Sequence, residues 1–111
     1  LPFEVALNAT ALFNHANIAL PPRADRWLRL VIVTPDMHRV HHSVVPREHH
    51  SNFGFNLSIW DRMFRTYNAQ PAAGHDGMTI GLPAWQSEAP AHLGWSLKLP
   101  FMGKAPPDEP R

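Results

Sequence analysis

Apolar side chains recur at helical spacing in the middle of the chain. Six of them fall at positions i, i+4, i+5, i+8, i+9 and i+12, namely Phe55, Ile59, Trp60, Met63, Phe64 and Tyr67. This stripe predicts an amphipathic helix over about 55–66. We expect Trp60, Phe64 and Tyr67 to pack in the core.

Weaker apolar patterns predict three further helices. The first covers about 3–19 and ends before Pro21-Pro22, because proline breaks helical continuity. The second covers about 23–32; its last residues are β-branched, so a strand is the alternative there. The third is a short helix over about 91–99 that ends at Pro100.

A sharper signal marks a short helix over about 35–43. Thr34 is a good N-cap, Pro35 suits the first helical position, and Asp36 suits the positive end of the helix dipole. The segments 46–54 and 68–90 predict loops, with a short extended piece at Met78–Leu82. The fold class is therefore mainly α, with Pro-rich loops between short helices.

The composition excludes several kinds of site and partner. There are no cysteines, which excludes disulfides and thiolate metal ligands, and the net charge of +1 does not indicate a nucleic-acid partner. The longest apolar run, Leu30–Val33, is far shorter than the roughly 20 residues of a spanning helix. The chain begins without methionine, and we expect it to be part of a longer protein, which leaves membrane spans upstream as an open question. Residues 101–111 are predicted to be a disordered tail.

Three of the eight histidines lie in the predicted helix 35–43. His38, His41 and His42 have the i, i+3, i+4 spacing that places side chains on one helical face. Such imidazoles can converge on one or two metal ions, whereas a chance surface cluster is the plain alternative. His15, His49 and His50 are available to complete a coordination sphere. An almost all-imidazole site suits zinc, iron, copper or nickel.

The segments around these histidines resemble a known family. MHRVHHS followed by SNFGFNLSIWDRMFRTY resembles the C-terminal signature of the fatty acid hydroxylase/sterol desaturase superfamily, which comprises integral-membrane, non-haem di-metal enzymes with histidine boxes. LFNHANI, VIVTP and MTIGLP resemble it too, so that the likeness covers about 10–83. It implies that residues 1–100 are the C-terminal, cytosolic-side helical part of a membrane-embedded histidine-box oxygenase.

The resemblance also implies roles for individual residues. Carried over by position, the metal ligands are His15, His38, His41 and His42, the supporting residues are Asn17, Asn52 and Asp61, and His50 is a candidate additional ligand. Asp61 would accept a hydrogen bond from a ligand's second ring nitrogen; the alternative is an ion pair with Arg65. Two departures stand out. Phe64-Arg65-Thr66 replaces the family's usual Phe-Gly-Thr, and the two upstream histidine boxes do not occur in this chain.

The function implied by the resemblance is oxidation of a lipid. Enzymes of this kind use a di-iron centre and O₂ to hydroxylate or desaturate a C–H bond of a fatty acid, sterol or related lipid. Electrons would come from a cytochrome, ferredoxin or reductase, and the full protein would be a multi-pass membrane protein with this part facing the cytosol. Zinc is the alternative metal in isolated protein. A zinc-dependent hydrolase and a non-catalytic metal-binding relic domain remain as alternatives.

Overall fold

The computed structural model describes residues 1–103 of the 111. It contains seven short α-helices, which confirms the mainly-α prediction: α1 (Pro2–Asn14), α2 (Pro22–Leu28), α3 (Pro35–His41), α4 (Pro46–His49), α5 (Ile59–Met63), α6 (Gly74–Gly77) and α7 (Leu93–Lys98). Short 3₁₀ turns cover Pro83–Trp85, Ala89–Ala91 and Leu99–Phe101. The predicted tail at 101–111 lies mostly outside the described residues.

Helix α1 is shorter than predicted and ends at Asn14 rather than near residue 19. His15 adopts a non-helical cap conformation, and the Ala16 N–H turns back to the Phe13 carbonyl at 3.1 Å. The Asn14 side chain donates a hydrogen bond to the Phe55 carbonyl, a partner far along the chain. A tertiary contact thus coincides with the end of this helix well before the proline pair.

Helix α2 ends at Leu28, and the β-branched segment that follows is not helical. Ile32 forms an isolated antiparallel bridge with Leu57, and the Val33 N–H donates to the Asn56 carbonyl at 2.9 Å. The prediction of helix to residue 32 is wrong, and the extended alternative is correct at this one bridge.

Helix α3 begins where its sequence predicts. The Thr34 hydroxyl accepts a hydrogen bond from the Met37 N–H at 3.4 Å and donates one to Asp25 Oδ1 at 2.5 Å. The cap therefore also joins α3 to α2. The helix ends at His41, two residues earlier than predicted, because Ser43 pairs with Ile80 in a second isolated bridge. That bridge lies in the predicted extended piece at 78–82.

The predicted loop 46–54 contains the single-turn helix α4, whose first residue is a proline. The buried Glu48 carboxylate accepts hydrogen bonds from the Ser43 hydroxyl at 2.5 Å and from the Ala72 N–H at 2.6 Å. Since it bonds residues on both sides of the turn, Glu48 holds the end of the histidine segment in place.

Helix α5 is much shorter than the apolar stripe predicted, because residues 55–58 are irregular and Arg65 stops the helix with φ +61°. Trp60 and Phe64 are 50% and 68% exposed, so the expectation that they pack in the core is wrong. Tyr67 is half-buried beneath the Arg62 guanidinium, 4.4 Å from the ring centre.

The apolar core of the described residues is small and lies along α3. Its fully buried hydrophobic side chains are Val33, Met37 and Val40, whereas many of the buried residues are polar. Contacts divide the chain into one unit over Leu1–Ile80 and a second that begins at Gly81. The second unit is built around a Trp85–Trp95 edge-to-face pair with ring centres 5.2 Å apart. None of the helices over residues 1–103 is long and apolar enough to cross a membrane.

Candidate metal centre

Three imidazoles from two elements converge at the C-terminal end of α3. The Nε2 atom of His38 lies 3.3 Å from Nε2 of His15 and 3.1 Å from Nε2 of His42. One nitrogen from each of the three lies within 4.8 Å of the others. His38 is buried, whereas His15 and His42 are exposed, so one side of the cluster is accessible to solvent.

These separations suit a shared cation. Two nitrogens each about 2.0–2.1 Å from one metal ion stand roughly 2.9 Å apart at a right angle and roughly 3.4 Å apart at the tetrahedral angle. The observed 3.1 and 3.3 Å lie between these limits. Three neutral imidazoles fit zinc and iron alike by ligand chemistry. The residues present therefore fit a metal ion held by His15, His38 and His42.

The position of His15 at the end of α1 also sets its tautomer. Its Nδ1–H donates to the Ala11 carbonyl at 2.8 Å, because a carbonyl can only accept. Nε2 then carries the lone pair that faces His38. A ring nitrogen fixed by a backbone carbonyl on the far side is typical of metal-binding histidines.

The cluster favours neutral imidazoles. Burial is the largest cause that lowers the pKa of His38, to about 4, and the neighbouring charges of His42, His15 and His41 lower it further. Burial, followed by His15 and His41, also lowers the pKa of His42. Because metals bind the neutral imidazole, the site is ready to accept a cation at neutral pH.

His41 lies beside this cluster rather than among the three. Its ring centre is 5.7 Å from that of His38 and 5.6 Å from that of His42. On its other side, the ring of His49 stacks nearly parallel at 5.3 Å. The ring of His50, the predicted additional ligand, contacts that of His49, with centres 5.3 Å apart.

The three predicted supporting residues have different surroundings. Asn17 is exposed and is not brought into the cluster. Asn52 is fully buried, and its amide donates to the carbonyls of Met37 and Asn68, each at 2.8 Å. Asp61 accepts from backbone N–H groups of the 53–54 segment and not from a histidine or from Arg65.

Two residues that organise the site were missed by sequence reasoning. Asn14 fixes the end of α1, directly before His15, through its bond to the Phe55 carbonyl. Glu48 holds the chain just after His42 through Ser43. Asparagine directly before the histidine was the available signal for the first, and a lone glutamate between prolines and histidines for the second.

An open, mainly apolar cavity of about 440 Å³ lies between the 53–56 segment and α5. Its aromatic lining is Phe53, Phe55, Trp60 and Phe64. The ring of Phe53 also meets the ring of His41 with centres 5.5 Å apart. Phe53 therefore contacts both the cavity and His41.

Comparison with known proteins gives a consistent set of matches. A family model described as fatty acid hydroxylase matches residues 1–66. Over 60 residues the chain is 38% identical to ornithine lipid hydroxylase OlsE of Rhizobium tropici, covering 54% of this chain and 17% of that protein. Over 43 residues it is 46% identical to alkylglycerol monooxygenase of Caenorhabditis elegans, covering 39% and 8%. The matches thus span less than a fifth of either relative, and no solved structure matches.

Proposed function

Because the chain belongs to the fatty acid hydroxylase family, we propose that it is the metal-binding C-terminal part of an enzyme that hydroxylates or desaturates a lipid. The proposed reaction uses iron and O₂ to oxidise a C–H bond. The convergence of three Nε2 atoms at 3.1–3.3 Å carries this proposal. One N–H proton can bond only one neighbouring ring nitrogen, whereas a single cation accepts the lone pairs of all three. Zinc is the ion that isolated protein would also accept.

We assign the ligands from the cluster outward. His15, His38 and His42 would hold one ion, and His41 would offer its Nε2 to a second ion of a di-iron centre. A bound redox metal supplies the activation of dioxygen, which protein side chains do not provide. The chain's own residues hold neutral nitrogens in place: carbonyls fix His15 and His41, and burial disfavours protonation of His38.

The apolar cavity supports a lipid as the substrate. Its aromatic walls offer nonpolar surface for an alkyl chain, and their exposure leaves that surface accessible. The Phe53 ring, which lines this cavity, also contacts the ring of His41, the ligand proposed for the second ion. Since Asp61, the one acidic group in the lining, is already bonded to the backbone, the cavity suits a hydrocarbon chain better than a charged headgroup.

We further propose the setting of the complete protein. Residues 1–100 would be the C-terminal part of its catalytic domain, on the cytosolic side of an integral, multi-pass membrane protein. A cytochrome, ferredoxin or reductase would donate electrons. The small matched share of both relatives and the numerous exposed apolar side chains of this chain support this setting.

Metal binding by the 111-residue chain tests the proposal directly. The metal-free chain is titrated with Fe(II) under anaerobic conditions and, separately, with Zn(II), and the bound metal is measured by elemental analysis. We expect His38→Gln to weaken metal binding at least 100-fold because His38 contributes the central nitrogen. His92→Gln is the matched control, since His92 lies in the unit that begins at Gly81.

Activity is then measured with the complete protein, a reductase system and lipid vesicles. Oxygen consumption coupled to formation of a hydroxylated or desaturated lipid is the expected result, and it should be lost in His38→Gln. Equal metal binding by wild type and His38→Gln would overturn the assignment of the site. Lipid hydrolysis with zinc and without oxygen consumption would identify a hydrolase instead.

A further inference from the structure

The ring of His41 is oriented by a backbone carbonyl. Its Nδ1 lies 3.0 Å from the Ser51 carbonyl oxygen, which must accept the hydrogen bond. This contact places the ring proton on Nδ1 and leaves Nε2 bare. The position of one carbonyl therefore decides which nitrogen of His41 is available.

The residue after that carbonyl is anchored on both sides. Asn52 has φ +49° and is fully buried. Its amide donates to the Met37 carbonyl within α3, and its Oδ1 accepts from the Asn68 N–H, both at 2.8 Å. Because α3 also carries His41, the Asn52 side chain ties the turn to the helix whose histidine it serves.

The far end of the turn rests on the Asp61 carboxylate. Asp61 is 2% exposed, and its two oxygens accept from the Phe53 N–H at 2.8 Å and from the Gly54 N–H at 2.9 Å. The Thr66 hydroxyl adds a third bond at 2.6 Å. The approach is close: a Cβ on Gly54 would stand 2.8 Å from Asp61 Oδ2 and 3.1 Å from the Leu57 carbonyl. The turn can lie against the carboxylate only because residue 54 is glycine.

We propose that Asp61 is a positioning residue for His41 that acts through the backbone of residues 51–54. The carboxylate fixes the N–H groups of the turn, the turn fixes the Ser51 carbonyl, and that carbonyl selects the Nδ1–H tautomer. This differs from the sequence expectation of a direct bond between Asp61 and a ligand imidazole. The inference rests on the proposed function only in treating His41 as a ligand.

The tautomer of His41 can be measured without any metal. Imidazole ¹⁵N spectra of the metal-free 111-residue chain at pH 8, where histidines are neutral, report which nitrogen carries the proton. A His41→Gln spectrum assigns the signals. We expect wild type to show Nδ1–H, and Asp61→Asn to lower the ratio of Nδ1–H to Nε2–H about fivefold, the factor that corresponds to one ordinary net hydrogen bond.

Two further variants separate positioning from general loss of stability. Thr34→Val removes the cap of α3 and destabilises the chain without touching the turn, so its His41 tautomer should match wild type. Thr66→Val removes one of the three bonds to Asp61 and should shift the tautomer partly, even where Asp61→Asn fails to fold.

The proposal is overturned by a wild-type tautomer in both Asp61→Asn and Thr66→Val, or, if Asp61→Asn does not fold, in Thr66→Val alone. An equal shift in Thr34→Val would also overturn it. The metal titration tests the proposed function independently of this tautomer measurement. A chain that binds no metal but shows the Asp61-dependent tautomer would refute the proposed function and leave the positioning intact.

Discussion

Arg65 has a left-handed backbone conformation that suits glycine better than arginine. It follows α5 with φ +61°, while the N–H groups of Thr66 and Tyr67 bond back to the Asp61 carbonyl at 2.8 and 3.2 Å. A left-handed residue just after a helix is a common C-terminal cap, and glycine usually occupies it. The arginine side chain is exposed, so its removal should cost little packing.

We therefore predict that Arg65→Gly stabilises the chain. Relief of the left-handed conformation should raise the free energy of unfolding by about 1–2 kcal/mol. The greater conformational freedom of glycine in the unfolded chain should lower it by about 0.4–1 kcal/mol. The net gain should be about 1 kcal/mol. For a domain of this size, that gain raises the thermal midpoint by about 4–8 °C.

Urea unfolding of the metal-free chain, followed by tryptophan fluorescence, measures this gain. Arg65→Ala is the essential control because alanine removes the charge but keeps the cost of positive φ. Arg65→Asn should lie between alanine and glycine, since asparagine tolerates this region. If alanine stabilises as much as glycine, the backbone explanation is refuted and the charge of Arg65 is the cause.

Three other predictions concern the core, the centre and the apolar surface. Met37→Ala should lower the free energy of unfolding by about 2–5 kcal/mol, as measured in urea, because Met37 is one of three fully buried apolar side chains along α3; a loss below 1 kcal/mol would contradict that account of the core. In the metal-free chain, unfolded His38 takes up a proton near pH 6.5 but native His38 only near pH 4. Stability should therefore fall as pH drops through that window, by up to about 3 kcal/mol, and His38→Gln should flatten the slope in urea titrations at several pH values. Phe64→Gln should change stability by less than about 1 kcal/mol because the ring is exposed, yet weaken the quenching of Trp60, which also lines the cavity, by a brominated fatty acid; unchanged quenching would argue against the cavity as an alkyl-chain site.

Local signals in the sequence predicted the histidine helix well. Thr34, Pro35 and Asp36 act within one turn, so the start of α3 depends on little else. The predicted placement of His38 and His42 on one face is also retained, because His42 lies only one residue beyond the end of the helix. The family resemblance implied that His15 joins these histidines. Its position next to His38 became visible only in the tertiary structure.

Long-range contacts determine the features of the structure that local sequence patterns did not predict. The apolar stripe from Phe55 has helical spacing, but bonds from Val33 and Asn14 draw residues 55–56 into irregular structure. Periodicity also does not distinguish a core face from an exposed apolar face, which is why Trp60 was misassigned. The role of Asp61 depends on two backbone N–H groups seven and eight residues earlier, and no side-chain pattern encodes such partners.

The placement of His15 directly after α1 and of His38 within α3 has a mechanical consequence. An ion bound by both would join residues 23 positions apart, in a chain that has no cysteine for a covalent cross-link. By analogy with a disulfide, closing such a loop removes about 3 kcal/mol of unfolded-state entropy. Several apolar residues of α1 are exposed, and the helix is held by its packing against α3 and by hydrogen bonds of Asn14 and Thr10 to residues 55–56. The metal would then add a cross-link between the end of α1 and α3 to the contacts that already hold the first helix.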